Sequence, residues 1–181
     1  MCMFRDLLAE EIECRVAQAN EYGVSLLLYK DARCDQNILD ETVGAMNWQR
    51  THTRDNANCI VSLWDKEKQQ WISKEDTGTE SNTEKEKGLA SDSFKRACFN
   101  WGIGRELYTA PNIKIAPQEC TSLKEYNGKY KCFDTFEVQK IIIEKKKIVA
   151  LAIRNTKSKR TCYVWQDPKW EAEQKKGQQN V

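Results

Sequence analysis

The sequence predicts an α+β fold, in which an antiparallel β-meander packs on a long helix and additional strands follow in the C-terminal part. Three observations support this prediction. Strand-like segments separated by Asp- and Asn-containing turns occupy residues 47–79. The strongest helical pattern of the chain follows at residues 81–101, and a second group of strand-like segments occupies residues 136–165.

The first predicted elements precede the meander. Residues 3–19 are predicted to form a helix, because their apolar side chains recur mostly three or four positions apart. Gly23 interrupts this pattern, and the apolar residues 24–29 suit a short strand. Residues 31–43 fit a second helix, since Asp31 can cap its first turn and a glycine follows its last turn.

The meander and the long helix come next. Three antiparallel strands are predicted at residues 47–54, 57–64 and 70–79, and their tryptophans suit half-buried positions on a pleated surface. The helix at residues 81–101 begins with two overlapping capping-box patterns, at residues 81–86. The predicted apolar face of this helix consists of Ala90, Phe94, Ala97, Cys98 and Trp101.

The second group of strands is predicted at residues 136–144, 147–155 and 161–165. The remaining residues are polar and rich in lysine and glutamine, a composition that cannot form a packed core. We therefore expect a single domain over residues 1–165, followed by a flexible polar tail at residues 166–181.

The charge of the chain is nearly balanced but unevenly distributed. The formal net charge is +2; residues 121–181 hold 14 lysines and arginines against 7 acidic residues, while residues 1–120 hold 15 against 20. The total charge therefore does not indicate a nucleic-acid partner, and only local clusters can do so. The alternative explanation for the basic C-terminal third is an ordinary solvated surface that aids solubility.

Two features predict the cellular compartment. No run of about 18 apolar residues occurs and the N-terminus lacks a signal-peptide pattern, so we expect a cytoplasmic protein without a membrane helix. The eight cysteines are scattered singly, which favours reduced thiols over a disulfide framework. Because there is no CxxC pair and His52 is the one histidine, no finger-type zinc site is predicted.

The sequence shows no pattern that indicates catalysis. A GxxxxGK[ST] phosphate loop is absent, which argues against an ATP-driven motor. Gly102 and Gly104 follow a helix and lack the third glycine of a dinucleotide fingerprint, so they are better explained as the end of that helix. Because the chain has a single histidine, any His-based catalytic triad or metal dyad would depend on that one residue. We therefore expect a protein that is not an enzyme, with no catalytic residue, metal site or cofactor.

A cationic pair and an aromatic residue lie off the apolar face of the long helix. In a helical projection, Lys95, Arg96 and Phe99 fall on its flank and its opposite side. A single nucleic-acid strand requires such a combination, because cations hold phosphates and a flat ring stacks on unpaired bases. The alternative is an ordinary solvated helix face, with Phe99 buried by another element. The residues alone leave both interpretations open.

The chain resembles the phage single-strand annealing proteins of the Sak type, which belong to the Rad-fifty-two superfamily of annealases. Two segments carry the resemblance: SDSFKRACFNWGIGRELY, preceded by EKEKG, and YKDARCDQNILDETVGAMNWQ at Tyr29 to Gln49. The order of elements agrees as well, and the resemblance covers residues 24–110. It implies a protein that binds single-stranded DNA and anneals complementary strands without ATP, working as a multi-subunit ring.

The resemblance also implies which residues bind DNA. Lys95 and Arg96 match the family's Lys-Arg pair, which lines a positively charged groove around the outside of the ring. Arg33 is the nearest match to a further basic residue on the helix before the meander. Eukaryotic members place that arginine one position later, where this chain has Cys34.

Three further residues are weaker DNA-binding candidates. Phe99 stands where eukaryotic members carry another arginine, which leaves stacking on a base or packing as its role. Arg105 and Lys87 are the other two, and a solvated charge or a salt bridge at a subunit interface is the alternative for both.

The resemblance implies the partners too. They are single-stranded DNA, other copies of this chain in a ring, and a single-strand-binding protein or an exonuclease, all in the host cytoplasm if the chain is phage-encoded. The basic turns at residues 145–147 and 157–160 are candidates for a second DNA site. The alternative function is an RNA-binding or replication-accessory module that binds single strands without annealing them.

Overall fold

The computed structural model describes residues 4–79 and 85–179 and confirms the α+β class. The helices of this part of the chain are α1 (Ala32–Val43), α2 (Lys85–Asn100) and α3 (Pro168–Gln179), and none of them is long and apolar enough to cross a membrane. The strands are β1 (Glu13–Asn20), β2 (Gly23–Tyr29), β3 (Trp48–Thr53), β4 (Asn58–Asp65), β5 (Gln70–Thr77), β6 (Ile113–Ile115), β7 (Leu123–Tyr126), β8 (Lys129–Cys132), β9 (Phe136–Glu144), β10 (Lys147–Asn155) and β11 (Arg160–Gln166).

The chain folds into two compact units. Unit 1 comprises Met1–Asp6 and Asp31–Arg105, and unit 2 comprises Leu7–Lys30 and Glu106–Val181. Units of this size occur both as separate domains and as halves of one domain. The single domain expected over residues 1–165 therefore stays a prediction.

Unit 1 contains the predicted meander. β3, β4 and β5 pair antiparallel in sequence order, and Trp48 on β3 lies opposite Leu63 on β4. Because side chains alternate along a strand, Cys59, Val61 and Leu63 point to one face, and all three are buried. The structure thus confirms the three strands predicted within residues 47–79.

α2 packs on the apolar face of the meander. Phe94 is fully buried and stacks against Trp48, with ring centroids 6.1 Å apart. Gly78 follows β5 and approaches the helix so closely that a Cβ there would stand 2.5 Å from the backbone nitrogen of Ser93. Only a residue without a side chain allows this approach, so the glycine fixes the depth at which α2 lies on the sheet.

Both helices of unit 1 agree with the prediction. α1 begins after Asp31, whose carboxylate accepts a hydrogen bond from Cys34 N at 2.9 Å, and it ends at Gly44, where φ is +87°. α2 confirms the long helix predicted from the sequence. Residues 81–84 of its capping-box patterns lie outside the described residues.

The other face of the meander is polar except for Ile60 and a pair of tryptophans. Ser62 Oγ and Ser73 Oγ lie 2.8 Å apart across β4 and β5. On the same face, Trp64 and Trp71 meet edge to face, with ring centroids 5.5 Å apart and an interplanar angle of 66°. Trp71 is exposed, so the indole pair forms part of the surface of unit 1.

Unit 2 is built on a six-stranded sheet with the strand order β11-β10-β9-β1-β2-β6. The antiparallel pairs β9–β10 and β10–β11 confirm the strands predicted within residues 136–165. Their core consists of fully buried aliphatic side chains, including Ile148, Leu151 and Ile153. β1 joins this hairpin through Cys14, which lies opposite Phe136 on β9.

The helix predicted at residues 3–19 is wrong. Residues 13–20 form β1, which pairs antiparallel with β2 along its whole length. The apolar side chains before β1 belong to an irregular segment with a 3₁₀ turn at Ala9–Glu11, and Leu7 N donates to the buried carboxylate of Glu106 at 2.8 Å. The apolar residues that recur three or four positions apart are therefore buried one by one by distant segments and do not form a helix face. Pairing with β2 determines the extended backbone of residues 13–20.

Three strands have no counterpart in the prediction. They are β6, which adds to the edge of β2, and the two strands of the hairpin β7–β8. The hairpin turns at Asn127 and Gly128, whose φ values of +50° and +75° are those of a type I′ turn. An Asn-Gly pair is a strong sequence signal for this turn, but the flanking strands are short and carry charged side chains at Lys124, Glu125, Lys129 and Lys131.

The C-terminal segment expected to be a loose tail forms helix α3. Asp167 caps its first turn: the carboxylate accepts hydrogen bonds from Lys169 N at 2.9 Å and Trp170 N at 3.4 Å. Pro168 suits the first helical position, because it has no N–H to satisfy. Trp170 Nε1 also donates to Glu144 Oε1 on β9 at 2.7 Å, which ties the helix to the sheet.

Candidate nucleic-acid interface

The exposed side of α2 carries the cations that the sequence singled out. In projection down the helix axis, Phe99 falls between Lys95 and Arg96, opposite the buried residues that face the meander. Lys95 and Phe99 are half-buried, and 43% of the Arg96 side chain is exposed. Lys95 forms no ion pair with any carboxylate that the structure describes. The structure therefore places these three residues side by side.

Arg96 is held in position by the neighbouring strand. Its Nε lies 3.3 Å from Asp76 Oδ1 on β5, and Asn100 Nδ2 donates to the other oxygen of the same carboxylate at 3.3 Å. Asn100 Nδ2 also donates to the backbone carbonyl of Glu75 at 3.0 Å. These contacts restrict the guanidinium to one region of the surface while nearly half of the side chain stays accessible.

Two more cations gather at the C-terminal end of α2. Lys74 Nζ donates to Asn100 O at 2.8 Å, and Arg105 Nη2 donates to the same oxygen at 2.9 Å. The final carbonyls of a helix have no intrahelical donor and carry partial negative charge, so they attract cations. Lys74 and Arg105 therefore take fixed positions through contacts with a carbonyl, which leaves their full charge in place.

Aromatic rings support these cations. The guanidinium of Arg105 lies 5.6 Å from the ring centroid of Phe99, and Lys74 Nζ lies 4.4 Å from that of Trp101. Arg105 Nε also donates to Phe99 O at 2.8 Å. Phe99 thus lies beside Arg105 at the C-terminal end of α2, and Lys95 and Arg96 lie one turn earlier on the same side of the helix.

We call the surface formed by Lys74, Lys95, Arg96, Phe99 and Arg105 the α2 basic face. Two carboxylates, Asp76 and Asp92, lie beside these cations. Asp92 accepts hydrogen bonds from Thr79 N at 2.8 Å and Thr79 Oγ1 at 3.3 Å. Four cations against two anions leave the face with a net charge of about +2.

Sequence reasoning missed Lys74 and also Arg50. Arg50 lies on β3 with its guanidinium 4.6 Å from the ring centroid of the buried Phe94. On the same strand, burial and the nearby Arg50 lower the pKa of His52, which favours the neutral form of this histidine. Strand alternation was the available signal, since Arg50 and Lys74 share the α2-facing side with Trp48 and Ile72.

Of the other predicted DNA-binding residues, Arg33 does not join this cluster, and the position of the Lys87 side chain is not described. Arg33 is 85% exposed on the first turn of α1, and its Nε pairs with Asp31 at 2.9 Å. No described contact links Arg33 to the cations of α2. Lys87 belongs to the first turn of α2, but its side chain lies outside the described part of the structure.

Comparisons with known proteins do not identify the chain. No family model, no curated protein and no solved structure matches it.

Proposed function

We propose that this chain binds single-stranded DNA through the α2 basic face and anneals complementary strands without ATP, as the resemblance to Sak-type annealing proteins implies. The observation that supports it is the arrangement of fixed, accessible cations around Phe99. Phosphates bind cations, and an aromatic ring accepts the face of any base, so such a surface binds a strand with little regard to sequence.

The contacts within the face favour binding because they reduce its entropic cost. Long cationic side chains lose rotamer freedom when they bind a ligand. Arg96, Lys74 and Arg105 already lie against Asp76 or the end of α2. Binding of a strand there requires little further ordering on the protein side.

Annealing requires no chemical step from the protein. Pairing of complementary strands releases about 1.4 kcal/mol for each stacked base pair, and repulsion between the two phosphate backbones opposes their encounter. A basic surface that holds one backbone reduces this repulsion and releases counterions. It needs neither a nucleotide nor a catalytic base.

We propose that the protein acts as a ring, because the α2 basic face of one chain can hold only a few nucleotides. Repeating the face around a ring of identical subunits gives a longer track and raises the apparent affinity by avidity. Head-to-tail contacts that close on themselves generate such rings.

Replacing Lys95 and Arg96 together by alanine should weaken binding of a single-stranded oligonucleotide by about 100-fold at low ionic strength. The dependence of log Kd on log salt concentration should also become shallower by about 1.4, because each lost phosphate contact on a single strand contributes about 0.7. Fluorescence anisotropy with a labelled oligonucleotide, over a range of salt concentrations, measures both quantities.

The matched control is Lys175→Ala with Lys176→Ala, which removes two adjacent exposed lysines from α3. It should leave affinity and salt slope unchanged. A folded Lys95→Ala/Arg96→Ala protein with wild-type affinity and slope would remove the proposed interface. A second assay separates an annealing protein from a binding module: two complementary oligonucleotides carry a donor and an acceptor dye, and energy transfer between the dyes reports their pairing without ATP. In a competition assay, a strong preference for an RNA competitor would favour the alternative function.

A further inference from the structure

Unit 2 brings two cysteines and a carboxylate together at the base of a hairpin. Cys120 Sγ, Cys132 Sγ and a carboxylate oxygen of Asp134 all lie within 4.8 Å of one another. Cys120 follows the 3₁₀ turn Pro117–Glu119, and Cys132 is the last residue of β8. The hairpin β7–β8 folds back at Asn127 and thereby returns the chain to Cys120.

The distances suit the coordination of a small divalent cation. Zinc binds thiolate sulfur at about 2.3 Å and carboxylate oxygen at about 2.0 Å in tetrahedral geometry, so two of its ligand atoms lie roughly 3.5–4 Å apart. Side-chain rotations that move the three atoms of this cluster by about 1 Å would reach that separation. Both cysteines are half-buried, which leaves a path for the ion from solvent.

The carboxylate of Asp134 is already oriented by its neighbours. It is buried and accepts hydrogen bonds from Thr121 N at 2.5 Å, from Ser122 Oγ at 2.6 Å and from Asn155 Nδ2 at 3.0 Å. Hydrogen bonds of this kind orient carboxylate ligands in metal sites. Thr121 Oγ1 also donates to Asp134 Oδ1, at 2.6 Å, and Lys157 Nζ lies 3.7 Å from the same oxygen. A bound ion would displace these two rotatable groups.

We propose that Cys120, Cys132 and Asp134 form a binding site for a thiophilic divalent cation, with Zn²⁺ as the expected ion. Two thiolates favour a soft or borderline metal over Mg²⁺ or Ca²⁺, which prefer oxygen ligands. Binding exchanges two thiol protons, released to solvent, for two metal–sulfur bonds. Water completes the coordination.

Such an ion would join the two ends of the hairpin β7–β8 to the large sheet. It would connect the start of the hairpin to its end, beside the carboxylate that also accepts from Asn155 at the end of β10. Metal binding would therefore stabilise the folded form of unit 2. This role is independent of the DNA-binding function proposed for the α2 basic face.

Titration of the full chain with Co²⁺ tests the proposal, after treatment with a chelator and in a thiol-free reductant. We expect saturation at one ion per chain, with a thiolate-to-cobalt charge-transfer band that Zn²⁺ abolishes. Cys120→Ser and Cys132→Ser should each lose most of this band. Cys14→Ser is the matched control, since Cys14 is also half-buried in unit 2 but lies outside the cluster, and it should keep the band.

Circular dichroism of each variant without metal shows whether it remains folded. Absence of a charge-transfer band in the wild-type protein would overturn the proposal. So would a band that persists in folded forms of both Cys120→Ser and Cys132→Ser.

Discussion

Replacing Gly23 by alanine should destabilise the protein by about 4 kcal/mol or prevent the folding of unit 2. A Cβ at this position would stand 1.9 Å from the carbonyl oxygen of Ile115, which is backbone and cannot rotate away. The φ of Gly23 is +121°, a conformation that L-residues rarely adopt and that adds strain of about 1–3 kcal/mol. Relief of the overlap requires β6 to separate from β2, where Ile115 pairs with Val24.

Chemical denaturation, followed by circular dichroism, measures this loss. Gly128→Ala is the matched control, because Gly128 also has a positive φ, +75°, but no described atom lies within 4 Å of the position that a Cβ would take there. It should cost only about 1 kcal/mol of backbone strain. If both variants unfolded at the same denaturant concentration, the close approach of β6 would not be a constraint on the fold.

Asp134→Ala should destabilise the metal-free protein by about 3–5 kcal/mol. The substitution removes the acceptor of several hydrogen bonds and leaves the amide of Asn155, which is fully buried, without one of its two partners. Denaturant unfolding in the presence of a chelator measures the change. Asp65→Ala is a suitable control: that carboxylate also accepts more than one hydrogen bond, from Glu67 N and Lys68 N, but in an exposed turn, so its loss should cost about 1 kcal/mol.

The contribution of Asp134 should also depend on pH. Burial raises the pKa of this carboxyl, but the hydrogen bonds from Ser122, Thr121 and Asn155 together lower it further, so its pKa in the folded protein lies well below the ordinary value. A lowered pKa stabilises the folded state fully above about pH 4, and this stabilisation is lost as the pH falls toward the folded pKa. The stability difference between wild type and Asp134→Ala should therefore shrink in acid. A difference that stayed constant from pH 7 to pH 3 would contradict this explanation.

The sequence pattern was enough to predict those elements in which the spacing of the apolar residues matches the side that is buried in the fold. The meander, α1, α2 and the strands β9–β11 all have such patterns, and the structure confirms them. The N-terminal strand β1 does not, because pairing with β2 decides its conformation and its apolar residues do not alternate cleanly. The C-terminal helix depends on a cap at Asp167 and on one contact from Trp170 to Glu144, neither of which composition reveals.

The candidate sites differ in the same way. Lys95, Arg96 and Phe99 lie within one helical turn or so of each other, so helical projection alone places them on one side. Lys74 joins them only because β5 packs beside α2. Sequence spacing could not predict the pair Cys120 and Cys132. The absence of a CxxC motif excludes a finger-type zinc site, but it does not exclude two thiols that a hairpin brings together.

The edge-to-face contact between Trp64 and Trp71 gives unit 1 an optical signature of its own. Two indoles with centroids 5.5 Å apart are close enough for their electronic transitions to couple, which produces an exciton couplet in the circular dichroism spectrum. Because the pair joins β4 to β5, the couplet should disappear when the meander opens, and Trp71→Phe should abolish it in the folded protein. Its amplitude would thus report opening of the meander separately from the backbone signal of the whole chain.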